Sequence, residues 1–282
     1  MQKATINPAT HLGMERELGS NATGRRADMI LTSDLKTLPI EHAIARGQTV
    51  AVDGKITVSC PHLYWPESVR QTVNMGKHLT ESDFEIKAPA GANKVQVKVI
   101  GVVENQAPTE ALSSELPVVD GLVEGEEDVY QIALVERHRA TGDVTNGFVS
   151  GFGYQGRMAM ASTVAHDSHH MIVVGTDRAM MATAANRLGE VGGGITVWKD
   201  GAELALVELP IAGLMSDSPA VDVAAKADQM VAAMEACGCT FNNAYMQHSL
   251  LALVVIPSLR ISDLGLVDVD KFEITPLFEE NA

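Results

Sequence analysis

Residues 158–175 read Met158-Ala159-Met160-Ala161-Ser162-Thr163-Val164-Ala165-His166-Asp167-Ser168-His169-His170-Met171-Ile172-Val173-Val174-Gly175. Two short apolar runs enclose a cluster of three imidazoles, one carboxylate and one hydroxyl. The runs predict strands over Met158 to Ala165 and Met171 to Gly175, with the cluster in the connection between them. A polar group this dense between apolar strands means either chemistry or a network that must be satisfied by hydrogen bonds.

Downstream, Thr176-Asp177 can cap a helix running to about Val191, with Met180, Ala184 and Leu188 on one face. Gly192-Gly193-Gly194 stops it. Ile195 to Trp198 and Leu204 to Leu209 flank a hairpin turn at Asp200-Gly201. Ser218-Pro219 opens a second helix with Val223, Ala227, Met230 and Met234 on one face. Leu250 to Ile256 predicts a buried strand or helix, and the tail through Phe272-Glu273-Ile274 a final strand.

Upstream, Val95, Val97 and Val99 alternate with Gln96 and Lys98, which predicts a half-buried strand. Val129 to Val135 predicts another. Residues 59–93, with Pro61, Pro66, Pro89 and Gly91, are poorly patterned and read as a connector. Residues 1–57 predict a short helix near Asn7, with Pro8 at its first position and Gly13 ending it. A turn at Gly24 leads into a strand at Leu31. Ile44 to Val52 and Lys55 to Val58 predict two strands joined at Asp53-Gly54. Strands outnumber helices and hairpins recur. The fold class is therefore α+β, a mostly antiparallel sheet with flanking helices.

The 282 residues fit one large domain or two ordinary ones. Apolar residues make up 46% and aromatics 4%, so the core rests on Val, Leu, Ile, Ala and Met. The net charge of −15 repels nucleic acid and anionic membrane, and neither is expected as a partner. Three cysteines, Cys60, Cys237 and Cys239, give no disulfide framework. Cys237-Gly238-Cys239 reads as small residues at a helix end. No apolar stretch reaches membrane-spanning length. Met1-Gln2-Lys3-Ala4-Thr5 opens no signal-peptide core, so a soluble cytoplasmic protein is expected.

The triple glycine at 192–194 follows a helix and precedes a strand, the reverse of a phosphate loop, so it reads as a helix stop. Glu136-Arg137-His138-Arg139 ends a strand and reads as a solvated or salt-bridged strand end, with substrate orientation as the alternative. Gly147 to Gly153, with Phe148 and Phe152 between glycines, reads either as a loop anchored by two buried rings or as a flexible flap over a site. In the cluster, His166 with His169 or His170 could share a metal, with Asp167 as ligand or orienter. Ser168 lacks the elbow that a Ser-His-Asp hydrolase needs. Metal binding, contact with an active site and a satisfied buried network all stand open on chemistry alone.

Residues 161–176 resemble the signature of the C-terminal domain of bacterial adenine deaminases; the family usually has Asn where this chain has His170. Four other stretches are similar to the family and keep its order over residues 95–282. They are Glu136-Arg137-His138 leading into Gly147-Phe148-Val149-Ser150-Gly151-Phe152-Gly153, Asn186-Arg187-Leu188 leading into the triple glycine, Leu209-Pro210-Ile211-Ala212-Gly213-Leu214-Met215-Ser216-Asp217, and Leu264-Gly265-Leu266-Val267-Asp268-Val269-Asp270-Lys271-Phe272. Ala4-Thr5-Ile6-Asn7-Pro8-Ala9, Leu18-Gly19-Ser20 and Gly24-Arg25-Arg26-Ala27-Asp28 resemble the end of an amidohydrolase, where the last barrel helix returns to a small β-sandwich.

The resemblance implies three segments. Residues 1–58 are a remnant of the amidohydrolase domain, 59–93 a connector, and 94–282 the adenine deaminase C-terminal domain. It implies deamination of adenine to hypoxanthine, a step of purine metabolism, by manganese or iron in a (β/α)₈ barrel of about 250 residues. No such barrel or ligand set is legible here, so no cofactor and no metal ligand is assigned to this chain. The barrel is expected upstream, in cis or on another polypeptide, and the chain is expected to be inactive alone and to self-associate. His166, Asp167, Ser168 and His169 are the residues expected to face that barrel's active site. Two alternatives remain: an interaction subunit that completes a separate barrel, and an independent small-molecule or metal-binding domain.

Overall fold

Glycine dipeptides with positive φ set the hairpins of the first of two units, Met1–Tyr64 and Trp65–Ala282. The computed structural model describes residues 1–61 and 63–279; positions 280–282 of the last expected segment lie outside the described residues. In the first unit helix α1 (Ile6–His11) precedes β1 (Met29–Leu31), β2 (His42–Ala45), β3 (Gln48–Val52) and β4 (Lys55–Ile56), which form one antiparallel sheet in chain order. Asp53-Gly54 joins β3 to β4 as expected. The single strand expected over Ile44 to Val52 is instead two, because Arg46 (φ 51°) and Gly47 (φ 79°) turn the chain. Among the described residues Ala9 is the unit's one buried apolar side chain, while Ile30, Leu31, Leu35 and Ile56 are exposed.

The second unit is built from β5 (Lys94–Val102), β6 (Thr109–Val119), β7 (Leu122–Val123), β8 (Val129–Val135), β9 (Val144–Ser150), β10 (Met158–Ser162), β11 (Met171–Gly175), α2 (Arg178–Val191), β12 (Gly194–Lys199), β13 (Ala202–Glu208), α3 (Ala220–Ala236), α4 (Ala244–Leu250), β14 (Leu259–Ser262), β15 (Gly265–Asp268) and β16 (Glu273–Thr275). A nine-stranded sheet runs β13-β12-β10-β11-β8-β9-β5-β6-β7, and β14-β15-β16 form a small meander. Among the described residues all pairings are antiparallel except β5 with β9, where Val99 lies opposite Phe148 in parallel. The architecture is α+β, and no closed barrel occurs among the described residues.

β10 and β11 are buried on both faces, which is why they read as continuous apolar runs. Alternate side chains serve two cores. Ala133, Val135, Ala159, Ala161, Met171 and Val173 meet Met181, Ala184 and Leu188 of α2, together with Leu79 and Phe84 from the preceding segment. Ile132, Leu134, Met160, Ile172 and Val174 meet Met230 and Met234 of α3 and Leu259, Ile261 and Leu266 of the meander. At about 25 cal/mol per Å² of apolar area, such burial on both faces dominates stability.

Two expectations are corrected, and one strand goes unforeseen. Val144–Ser150 is a central strand, not a loop or flap; Phe148 and Phe152 are buried rings. Leu250 to Ile256 is neither strand nor buried helix beyond the end of α4; it forms turns. β6, an eleven-residue strand with mostly exposed side chains, has no apolar alternation to announce it. The helix cap at Asp177, whose side chain accepts the Met180 N–H, and the left-handed Gly192 at the end of α2 stand where the sequence puts them.

Candidate functional site

The candidate site is the connection between β10 and β11, residues 163–170, at one end of the large sheet. Ala165 and His170 are buried, His166 and His169 half-buried, and Asp167 and Ser168 exposed at the tip. The turn closes on itself: the His169 N–H donates to the Ala165 carbonyl at 2.7 Å, with His169 in the left-handed region at φ 53°. Behind it, the His166 N–H donates to Ser249 O at 2.8 Å, tying the loop to α4.

The loop's base is locked by Thr163. Its hydroxyl accepts the Gly194 N–H at 2.8 Å and donates to Gly213 O at 2.6 Å. The close approach requires glycine: a Cβ on Gly193 would lie 2.5 Å from Gly213 Cα, and one on Gly194 2.2 Å from Val207 O. The triple glycine is thus both a helix stop and the packing surface beneath the loop.

The adjacent end of β8, expected to be solvated or salt-bridged, is exposed only at His138 and Arg139. Glu136 and Arg137 are buried. Glu136 accepts the backbone N–H groups of His138 (2.5 Å), Arg139 (2.8 Å) and Thr141 (3.2 Å). Burial pushes its carboxyl up, but these donors win and hold it below the usual carboxylate range. Arg137 donates from Nε to His169 O at 2.6 Å, and from its terminal nitrogens to Thr72 O and Ala212 O, each at 3.2 Å. His138 donates from Nε2 to Ser168 O at 2.9 Å, and its ring lies 4.7 Å from that of His170.

The structure brings His166 and His169 together, rings edge to face at 5.2 Å. Burial lowers the His169 pKa, helped by neighbouring His166 and Arg137. His170 lies 3.6 Å from an Asp263 carboxylate oxygen and 3.9 Å from one of Glu136, contacts that favour the charged ring. Burial outweighs them and its pKa is also lowered, so both imidazoles are neutral near pH 7. The Nδ1 atoms of His169 and His170 are buried without hydrogen-bond partners among the described residues.

Neutral imidazoles can accept a proton or a hydrogen bond from a ligand. Among the described residues no three His, Cys, Asp or Glu side chains converge as a metal-ligand set. Nor does the Ser168 hydroxyl bond either imidazole among the described residues, so no hydrolase triad forms. Sequence reasoning missed the frame of Arg137, Glu136, Thr163 and Gly213, whose role depends on segments far apart in the chain.

Residues 106–273 match the family model of the adenine deaminase C-terminal domain. The chain belongs to that family. It is 75% identical over 279 residues to the adenine deaminase of Ruegeria sp. (strain TM1040), covering 99% of this chain and 46% of that protein. It is 42% identical over 279 residues to the adenine deaminase of Moorella thermoacetica, covering 98% of this chain and 47% of that protein. The chain spans about half the length of the curated relatives it matches. The adenine deaminase C-terminal domain therefore contains the whole His loop and its frame. No helix among the described residues is long and apolar enough to cross a membrane.

Proposed function

We propose that this chain is the C-terminal part of a cytoplasmic, metal-dependent adenine deaminase that converts adenine and water to hypoxanthine and ammonia. Residues 1–58 are the remnant of the amidohydrolase domain, 59–93 the connector and 94–282 the C-terminal domain. Manganese or iron belongs to a barrel outside this sequence, and the chain alone is inactive. His166, Asp167, Ser168 and His169 face that barrel, closing the site or touching the base. The observation that carries the reading is the loop itself, whose exposed tip stands on a frame buried from behind.

The test is His166→Ala in an enzyme of the relatives' full length, assayed with adenine and manganese. A loss of at least about tenfold in kcat/KM, roughly 1.4 kcal/mol of transition-state stabilisation, is expected. Unaltered turnover and KM would overturn the reading.

A second reading is an interaction subunit that completes a separately encoded barrel. The exposed Ile30, Leu31 and Ile56 and the edges of β1 and β4, unpaired among the described residues, favour it. Mixing the chain with a separately expressed barrel distinguishes the two: restored deamination supports the subunit. The same apolar edges support self-association.

A further inference from the structure

The second unit buries two guanidinium groups, Arg137 at 1% exposure and Arg260 at 0%. Both make their hydrogen bonds to carbonyl oxygens, and burial pushes the pKa of each down to about 10, which leaves both charged near pH 7. A buried cation is costly to desolvate, so its donors must find partners. Arg260 donates to Ile256, Leu250 and Pro257 of its own neighbourhood and to Ala107 of one distant segment, and none of these lies in the His loop. Arg137 does something different. It gathers Thr72, Ala212 and His169, three segments distant in sequence, around one planar group.

The surroundings are shaped to that group. Gly213, at φ 69°, lies against it so closely that a Cβ would sit 2.9 Å from a terminal nitrogen. The Arg137 carbonyl accepts the Asn74 N–H at 2.8 Å, and the Ala212 N–H donates to Val69 O at 2.6 Å, so the guanidinium's acceptors are themselves held. The shortest of its three bonds goes to His169 O, on the left-handed residue where the loop turns back toward β11.

We propose that Arg137 is the positioning residue of the His loop, fixing the direction of the His169 imidazole through the His169 carbonyl. The role in catalysis rests on the reading that the loop faces an active site; the hold on the loop does not. Lysine cannot replace it, because an ammonium has no planar fork to reach three carbonyls at set angles.

The experiment compares Arg137→Lys with Arg260→Lys, the second serving as an equally buried cation whose hydrogen bonds go to residues outside the loop. In the 282-residue chain, side-chain NMR of the histidines is expected to show changed shifts and broadening of the His169 and His166 rings in Arg137→Lys only. Ring signals unchanged in Arg137→Lys, or changed equally in Arg260→Lys, overturn the proposal. Should Arg137→Lys fail to fold, the unaltered chain still decides. A through-hydrogen-bond correlation from Arg137 Nε–H to the His169 carbonyl carbon supports the proposal, and free exchange of that proton overturns it.

In an enzyme of the relatives' full length, Arg137→Lys is expected to lower kcat about tenfold more than KM changes, with Arg260→Lys near the parent. If the ring signals move but turnover does not, the hold stands and the active-site reading falls.

Discussion

Phe152 and His248 lie face to face, ring centroids 4.0 Å apart and planes within 6°. His248 donates from Nδ1 to Ala244 O at 2.8 Å and accepts the Tyr154 hydroxyl at Nε2, 3.1 Å away. Its neighbour Ser249 carries the carbonyl that receives the His166 N–H. The stack therefore anchors the back of the His loop.

Acid is predicted to weaken this anchor. Burial pushes the His248 pKa down to about 4 from 6.5. The unfolded chain binds the extra proton between those values, so stability is full above pH 6.5 and is lost as pH falls toward 4. The full loss is about 3 kcal/mol. Urea unfolding at pH 7 and pH 5 is expected to show about 2 kcal/mol of it, and His248→Phe to flatten the difference. Equal pH slopes in parent and variant would refute the assignment.

Thr163→Val keeps the side-chain shape but strands the Gly194 N–H and the Gly213 carbonyl in the interior. Leaving such groups unpaired costs about 1–3 kcal/mol each before relaxation. Chemical denaturation of the variant is expected to show a loss within or above that range. A loss under about 0.5 kcal/mol, the size of an ordinary surface change, would show that the hydroxyl does not lock the loop.

Gly194→Ala and Gly201→Ala separate collision from backbone strain. Gly194 (φ 152°) has no room for a Cβ beside Val207 O, whereas Gly201 (φ 85°), in the β12–β13 turn, faces open space. Gly201→Ala is expected to cost about 1–3 kcal/mol of strain alone. Gly194→Ala should cost clearly more or prevent folding. Similar melting temperatures for the two variants would contradict the packing described beneath the loop.

Glu136→Gln removes the charge that gathers three backbone N–H groups. An amide replaces one acceptor oxygen with a donor, so a loss of about 1–3 kcal/mol at pH 7 is expected. Because the folded carboxyl titrates below its ordinary 4.5, its contribution is present above pH 4.5 and disappears as pH falls through the lowered value. The parent and Glu136→Gln should therefore converge in stability in strong acid, and divergence there would count against the carboxylate's role.

Much of the architecture is legible because its signals are local. The apolar runs of β10 and β11, the Asp177 cap, the Gly192 stop and the Asp200-Gly201 hairpin each lie within a few residues. β9 was hidden by its glycine. Gly147 reads as loop, yet a Cβ there would press on Leu266 at 3.2 Å, so the residue admits the meander to the sheet face. The residues of the candidate site announce themselves by density, but their support does not. Nothing in Glu136-Arg137-His138 says that a guanidinium will be buried, because its acceptors come from Thr72, Ala212 and His169.

The one parallel pairing bears on the order of assembly. β5 and β6 are neighbours in sequence and can zip as a hairpin at small entropic cost. β9 joins β5 only after the chain has run out through β8 and back, since Val99 meets Phe148 across that excursion. Long-range closures of this kind are slow. The β5–β6 ribbon is thus a late-docking flank, and the half of the sheet that bears the His loop can be in register before the ribbon arrives.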